Sequence, residues 1–396
     1  MVTSNSSKSQ ELAPVEIVAV EHLKVIEMIY LMVMHLMVTL LLQAIITLKG
    51  MGTVYQMKNE MKVQILKVRK LMMKTDQLIF RDDFNRNRLF FRLSEETKLI
   101  IHSYTKIKHN LYKILTEEGL YILKGYTEPG NLDSIIRFSQ LLHKSGFHTG
   151  LMYEKFKDGS FLLNEQGIVW VLLKYISPKR KFSFSKEKDR EEGLLTLQKF
   201  HHHSKTILPN LPHDLPKENT VAKWQNRLRI FESHGPILTK WFNPHVISEI
   251  VYYSHLSLNS LAKDYVESDE VVLHGDVASH NFIRAADNKV YLIDYDLLSV
   301  GSAEWDFVQY ASRILPFIKW SGSLFQIHSK LIDMGKDHSW FRTALSFPMD
   351  ILREGNHFSK SIGDERMPNS FANLSYFIST WELRKHFLTN YNNLIQ

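Results

Sequence analysis

Cysteine is absent from the 396 residues. That excludes disulfides, a thiolate nucleophile and a thiolate-held zinc ion, and it fits a reducing, cytoplasmic setting. Neither sign of charge dominates: 49 basic residues stand against 42 acidic ones, a net +7. So mild a balance suits phosphates or acidic partners without demanding nucleic acid. No run interleaves aromatic and basic residues as a base-stacking platform would, so no nucleic acid partner is expected. Phenylalanine and tryptophan are missing from the first 75 residues, which hold ten of the 14 methionines. One core rarely changes composition that sharply, and residues 1–76 are set apart as an atypical Met-rich extension. No secretory signal is read there, because the start is serine-rich and uncharged before Lys8 and the apolar run that follows is too long and too late.

That run, Met28–Leu48, carries no charge over 21 residues, about the length that spans a bilayer. The basic residues after it would put the remainder on the cytoplasmic side if it spans. His35, Thr39 and Gln43 recur at i, i+4 and i+8 and make one helix face polar, which argues against spanning. A membrane segment, a docked extension and residues appended by a shifted frame all stay open.

From residue 77 the composition is that of an ordinary folded protein. Asn110–Leu115 and Leu120–Gly125 predict two strands about the Thr116–Gly119 turn. Asn131 would cap a helix running to about Lys144, and Gly146 would end it. Met152–Lys157 and Ser160–Leu163 flank Asp158-Gly159, a hairpin signal, and Ile168–Tyr175 is a long apolar strand. Ser177–Ser185 reads as a basic linker. Glu187–Lys205, Val221–Phe231 and His245–Tyr265 then have helical apolar spacing. Strand signals return only at Val271–His274, Asn281–Arg284 and Val290–Asp294, and from Ser302 onward the pattern is helical, with Pro316 and Pro348 as breaks. The expected fold is α+β in two lobes. A small antiparallel-sheet lobe with one helix covers residues 77–176, and a larger, mainly helical lobe covers 177–396.

The stretch that bears chemistry is His274-Gly-Asp276-Val-Ala-Ser-His-Asn281, followed by Ile293-Asp294-Tyr295-Asp296. An apolar strand delivers the first onto a tight loop, and a short hairpin returns the chain to the second. Phosphoryl transfer needs a carboxylate that accepts or orients the proton of an attacking hydroxyl. It also needs hard oxygen ligands for a magnesium ion that neutralises the phosphates. Asp276 suits the first task, and Asn281 and Asp294 suit the second. The five-residue spacing from Asp276 to Asn281 equals that of the kinase H-R-D-x-x-x-x-N loop. Lys124, in Tyr121-Ile122-Leu123-Lys124, is the candidate to grip the ATP phosphates, and Ile122 shares its strand face to cover the adenine. Lys174, Tyr175 and Ile176 follow the last small-lobe strand and would form a hinge whose backbone bonds the adenine. His201-His202-His203 do not read as a metal site, since successive helical side chains point about 100° apart.

The motif pair resembles the aminoglycoside phosphotransferase and choline kinase superfamily, which has a protein-kinase-like fold, over about residues 105–396. The wording His-Gly-Asp-Val-Ala-Ser-His-Asn-Phe is most similar to the CotS-type kinase-like spore coat proteins of bacilli. This resemblance implies a Mg-ATP-dependent kinase with an unidentified hydroxyl or amine acceptor, spore coat proteins as partners, and a cytoplasmic or spore coat location. It also implies structural support from His274 and from Asp306, which with Gly301 matches the Gly-then-Asp that braces the catalytic loop. There are two departures. Lys124 would usually pair with a Glu on the following helix, but Asn131–Lys144 has none, and Asp133, Gln140 and Glu128 are the nearest substitutes. No glycine lies between Gly52 and Gly119, so no glycine-rich phosphate cover forms. These departures keep a second function in view, a weak or inactive pseudokinase that serves as a spore coat scaffold. No Ala-Pro-Glu segment follows Asp294, which argues against a conventional protein kinase.

Overall fold

The computed structural model describes residues 88–212 and 214–394. The extension, with its candidate span Met28–Leu48, lies outside the described residues, among which no helix is long and apolar enough to cross a membrane.

The first lobe begins with helix α1, residues 88–97. Then follow β1 (Ile101–Lys108), β2 (Leu111–Thr116), β3 (Gly119–Tyr126), α2 (Leu132–Lys144), β4 (Tyr153–Glu154), β5 (Leu163–Glu165) and β6 (Ile168–Lys174). The strands form one antiparallel sheet in the order β1-β2-β3-β6-β4, with β5 also on β6. Alternation along each strand assigns its faces. Tyr112, Ile114, Tyr121, Leu123, Trp170 and Leu172 turn to one face and pack with Leu89, Phe90 and Leu93 of α1. Val171, Leu173 and Ile122 turn to the other, with Leu132, Ile135, Ile136 and Phe138 of α2. Ile122, Lys124 and Tyr126 stand two residues apart and so share this second face, which meets the helical lobe.

Three expectations are corrected here. The Asp158-Gly159 turn forms, with Gly159 at φ +84° and the Phe156 N–H donating to Ser160 O at 2.7 Å. Beyond that bond, however, its flanks form no strand ladder with each other. β4 pairs with Leu172 and Leu173 while β5 pairs with Ile168–Trp170, so the two share one edge of β6. β6 is apolar on both faces, and a strand buried in that way needs both edges hydrogen-bonded. The segment Ser177–Ser185 is more than a linker, since Pro178–Arg180 forms β7. Asn131 precedes α2 without a side-chain capping bond.

The second lobe contains α3 (Glu187–Ile207), α4 (Thr220–Ser233), α5 (Pro244–Asp264), β8 (Glu270–Leu273), β9 (Phe282–Ala285), β10 (Val290–Leu292), β11 (Ser299–Ser302) and α6 (Glu304–Ile314). Helices α7 (Ser329–Asp337), α8 (Ser339–Ser346), α9 (Met349–Ser361), α10 (Met367–Ser379) and α11 (Trp381–Leu394) complete it. β7, β9 and β10 make a three-stranded sheet, and β11 pairs with β8. A buried carboxylate ties the strands to the helices. Asp189 of α3 accepts from Arg180 of β7 at 2.6 and 2.7 Å and from Arg284 of β9 at 2.7 Å. Burial opposes its charge, but these donors and the Ser183 N–H outweigh that and bring its pKa down to about 2.

Candidate active site

The site grows from the end of β8. Gly275 sits at φ +78°, and a Cβ there would lie 2.3 Å from Leu297 O, so glycine alone fits without strain. The turn it makes carries Asp276 into the cleft. Asp306, fully buried in the first turn of α6, holds the turn from behind. Its carboxylate accepts from the N–H of His274 at 2.7 Å, from that of Gly275 at 3.0 Å and from His201 Nε2 at 2.8 Å. Burial opposes the charge of Asp306, yet these donors, His201 foremost, keep its pKa below the usual carboxylate range.

His274 links the two motifs. Its Nδ1 accepts from the Asp276 N–H at 3.3 Å, so Nε2 carries the proton and donates to Ile293 O at 2.9 Å. Burial lowers its pKa, consistent with a neutral ring. The Ile293 N–H donates to Asn281 O at 2.9 Å. The loop from His274 to Asn281 and the segment reaching Asp294 are therefore one hydrogen-bonded piece.

Within it, Asn281 Nδ2 donates to Asp276 O at 2.8 Å and to Asp276 Oδ2 at 3.1 Å, which leaves its own Oδ1 as the spare acceptor. Arg313, further along α6, donates to Asp276 Oδ1 at 2.6 Å. Asp294 adopts φ +70°, a left-handed conformation uncommon outside glycine. Its Oδ1 accepts from Lys124 Nζ at 2.8 Å. Asp296 accepts from Lys124 at 2.6 Å and from the Tyr126 hydroxyl at 2.8 Å. Burial works against the charges of Lys124 and Asp294. Asp296 and Asp294 nonetheless hold the Lys124 pKa above its ordinary value, and Lys124 holds that of Asp294 below. Lys124 thus finds its carboxylates on the Asp294–Asp296 segment, not on α2 or the loop before it. From α2, Phe138 supplies a ring contact to Tyr295, at 5.8 Å between centroids.

Two cavities meet these residues. One, of about 230 Å³, is lined by Ile122, Lys124, Lys174, Tyr175, Ile176 and Asp294, with Leu151 and Ile293 among its apolar walls. The Lys174 and Tyr175 N–H groups are already taken by Met152 O and Leu120 O, each at 3.1 Å. That leaves the Ile176 N–H as the donor of this trio open to a ligand. The other cavity, of about 610 Å³, contains Gly275, Asp276, Asp296 and Arg313. Among the described residues no three His, Asp or Glu side chains are placed to hold a metal ion together. The histidine run diverges, with His201 on Asp306 and His203 Nδ1 3.0 Å from Ser145 Oγ.

A family model described as "Phosphotransferase enzyme family" matches residues 109–323, more than half of the chain. The chain belongs to the phosphotransferase enzyme family. Solved phosphotransferase structures are similar in fold. An aminoglycoside phosphotransferase from Alicyclobacillus acidocaldarius aligns at a TM-score of 0.58 and 13% identity, over 76% of this chain and 94% of its own. Spectinomycin phosphotransferase APH(9)-Ia, in complex with ADP and spectinomycin, aligns at 0.54 and 15% identity, over 76% and 98%. The amicoumacin kinase hAmiN, in complex with AMP-PNP, Ca²⁺ and Ami, aligns at 0.53 and 12% identity, over 76% and 93%. A search of curated proteins gave no match. Four residues of the site carry no role in the sequence reading: Asp296 and His201, which it names without one, and Tyr126 and Arg313, which it does not name. Asp296 and Tyr126 lie two residues beyond Asp294 and Lys124. Arg313 lies seven residues beyond Asp306, on the same helix face. Nothing local marks His201 as the partner of Asp306.

Proposed function

We propose that this phosphotransferase moves the γ-phosphoryl group of Mg-ATP to a hydroxyl or amine acceptor. Asp276 orients and takes the acceptor proton, and Lys124 grips the phosphates. Ile122 with Lys174, Tyr175 and Ile176 receives the adenine, the Ile176 N–H serving as its backbone donor. His274 and Asp306 hold the loop. Asn281 Oδ1 and the Asp294 carboxylate would ligate Mg²⁺, two hard oxygens from protein being ordinary for an ion that also takes substrate phosphates. When bound, that ion would neutralise charge on the transferred group. The small lobe would span 77–176 and the catalytic lobe 177–396. The spore coat is the compartment proposed from the wording around Asp276.

One observation carries the proposal. Lys124 and Asp294 touch at 2.8 Å beside an apolar cavity, while Asp276, joined to them through His274, Ile293 and Asn281, faces a second cavity. A nucleotide and an acceptor would thus meet across one rigid loop. The missing α2 glutamate, the ground for an inactive scaffold, is offset by Asp296, which takes Lys124 in its place. The test is thermal unfolding of the full chain with ATP, with and without Mg²⁺, beside Asp294→Ala. Nucleotide at ~100 times its dissociation constant should stabilise by about 2.7 kcal/mol. A Mg²⁺-dependent rise that the variant lacks is expected, and an equal rise in both proteins would remove Asp294 from the metal site.

A further inference from the structure

The cavity that receives the Asp276 side chain is lined by more cationic than anionic side chains. Lys217, Lys223, Arg227, Arg313 and Arg353 line it, against Glu218, Asp276 and Asp296. Each carboxylate there is already engaged. Glu218 accepts from Ser299 Oγ at 2.8 Å and from Thr220 Oγ1 at 2.6 Å, and it faces Lys223 at 3.3 Å. Asp276 is held by Arg313, and Asp296 by Lys124 and Tyr126. The neighbouring Asp350 accepts from Arg384 through both oxygens.

Arg227 is the exception among the cations. Its one hydrogen bond is a long contact of 3.4 Å from Nη1 to Met349 O, and no carboxylate of the described residues pairs with it. It is half-buried on α4, and burial lowers its pKa, with Arg353 and Arg313 adding like-charge repulsion that Asp350, itself bonded to Arg384, only partly offsets. Arg353 has a single partner, Glu354, at 2.9 Å. Three guanidinium groups thus converge on one cavity with less negative charge than they would accept. Such a gathering costs free energy, and an anion between them would offset it through charge-assisted, paired hydrogen bonds. The adjoining cavity of about 250 Å³ shares Arg313 and Arg353, and it is lined by Ser312, whose buried Oγ has no hydrogen-bond partner.

We propose that the acceptor is a small hydroxyl compound that carries its own phosphate, held by Arg227 and Arg353 while its hydroxyl meets Asp276. This rests on Asp276 being the base. The acceptor oxygen bonds to the γ-phosphorus as the bond from that phosphorus to the β–γ bridging oxygen breaks. The hydroxyl proton passes to the Asp276 carboxylate, and ADP leaves with the bridging oxygen. No further reactant is required. A polycationic acceptor would meet three like charges at the same place, and such repulsion selects against it.

The experiment uses the full chain saturated with Mg-ADP, so that the nucleotide site is filled. Inorganic phosphate, sn-glycerol 3-phosphate, glycerol and kanamycin are each titrated while the thermal midpoint is read. The two phosphates should raise the midpoint in a saturable way, and glycerol and kanamycin should not. Arg227→Gln and Arg353→Gln should each weaken phosphate binding about tenfold or more, the loss of one charge-assisted hydrogen bond. The midpoints without ligand show whether each variant is folded. Stabilisation by kanamycin in place of the phosphates overturns the proposal. So does silence from both phosphates, or a phosphate response that both folded variants keep. Absence of any shift from Mg-ADP itself is a separate result and tells against the nucleotide site.

Discussion

Replacing Asp306 by alanine strands three donors at once: the N–H of His274, the N–H of Gly275 and Nε2 of His201. Asp306 and His274 are both fully buried, so water cannot readily take the missing place. A stranded buried donor costs about 1–3 kcal/mol. Against that, the cost of burying the carboxylate itself disappears. The balance is about 3–5 kcal/mol, the range found when one partner of a buried charged pair is removed. For a unit of this size that corresponds to a midpoint lower by roughly 5–8 °C. Differential scanning calorimetry on the full chain, with urea unfolding alongside, would measure it. Asp306→Asn should fall between the two, because it keeps one acceptor oxygen and turns an amide NH₂ towards a donor. The sign of the pH dependence follows from the depressed pKa of Asp306 in the folded chain. Its stabilisation is present in full above the ordinary carboxylate pKa and is lost as pH falls through the folded value. The gap between parent and variant should therefore be flat near neutrality and shrink in acid. An alanine variant melting within about 2 °C of the parent at neutral pH would refute the bracing role.

Asp276→Asn should lower phosphoryl transfer by about 10²–10⁴-fold while nucleotide-induced thermal stabilisation persists, and normal turnover would take the base role from Asp276. Gly275→Ala forces a Cβ towards Leu297 O at a left-handed φ and should cost at least ~1–3 kcal/mol in urea unfolding, whereas no loss would mean that the turn yields readily. Arg384→Ala leaves Asp350 without its two-bonded partner and should cost about 3 kcal/mol, with Asp350→Leu added to Arg384→Met recovering part of it.

The strands read most easily in the sequence were those whose burial leaves a pattern. The run 168–173 is apolar throughout, and Leu111–Thr116 alternates cleanly, so both stand out. β1 did not, because Ile101–Lys108 is an edge strand exposed along nearly its whole length and its sequence carries no burial signal. β7 was hidden for a related reason: Pro178 and two basic residues describe a loop until β9 is present to pair with. The site divides in the same manner. His274, Asp276, Asn281 and Asp294 are close in sequence and spaced by the loop they build. Their supports are not. His201 lies 105 residues before Asp306, and Lys124 lies 172 residues before Asp296. Such pairings arise from lobe packing, which no local spacing encodes.

One ammonium and two carboxylates gather at Lys124, Asp294 and Asp296, so the cluster holds a formal net charge of −1 before anything arrives. In the proposed function an unchelated nucleotide would meet these two carboxylates with Lys124 already occupied, while Lys108 and Lys174 also line the cavity. A metal-chelated one would bring a cation to the two carboxylates and free Lys124 for phosphate. On that reading the cluster would favour the less negative, chelated nucleotide by charge, before any shape is compared. Ionic strength is the variable that exposes such a preference. Screening should narrow the advantage of the chelated nucleotide over the bare one, because the stronger repulsion felt by the bare one fades.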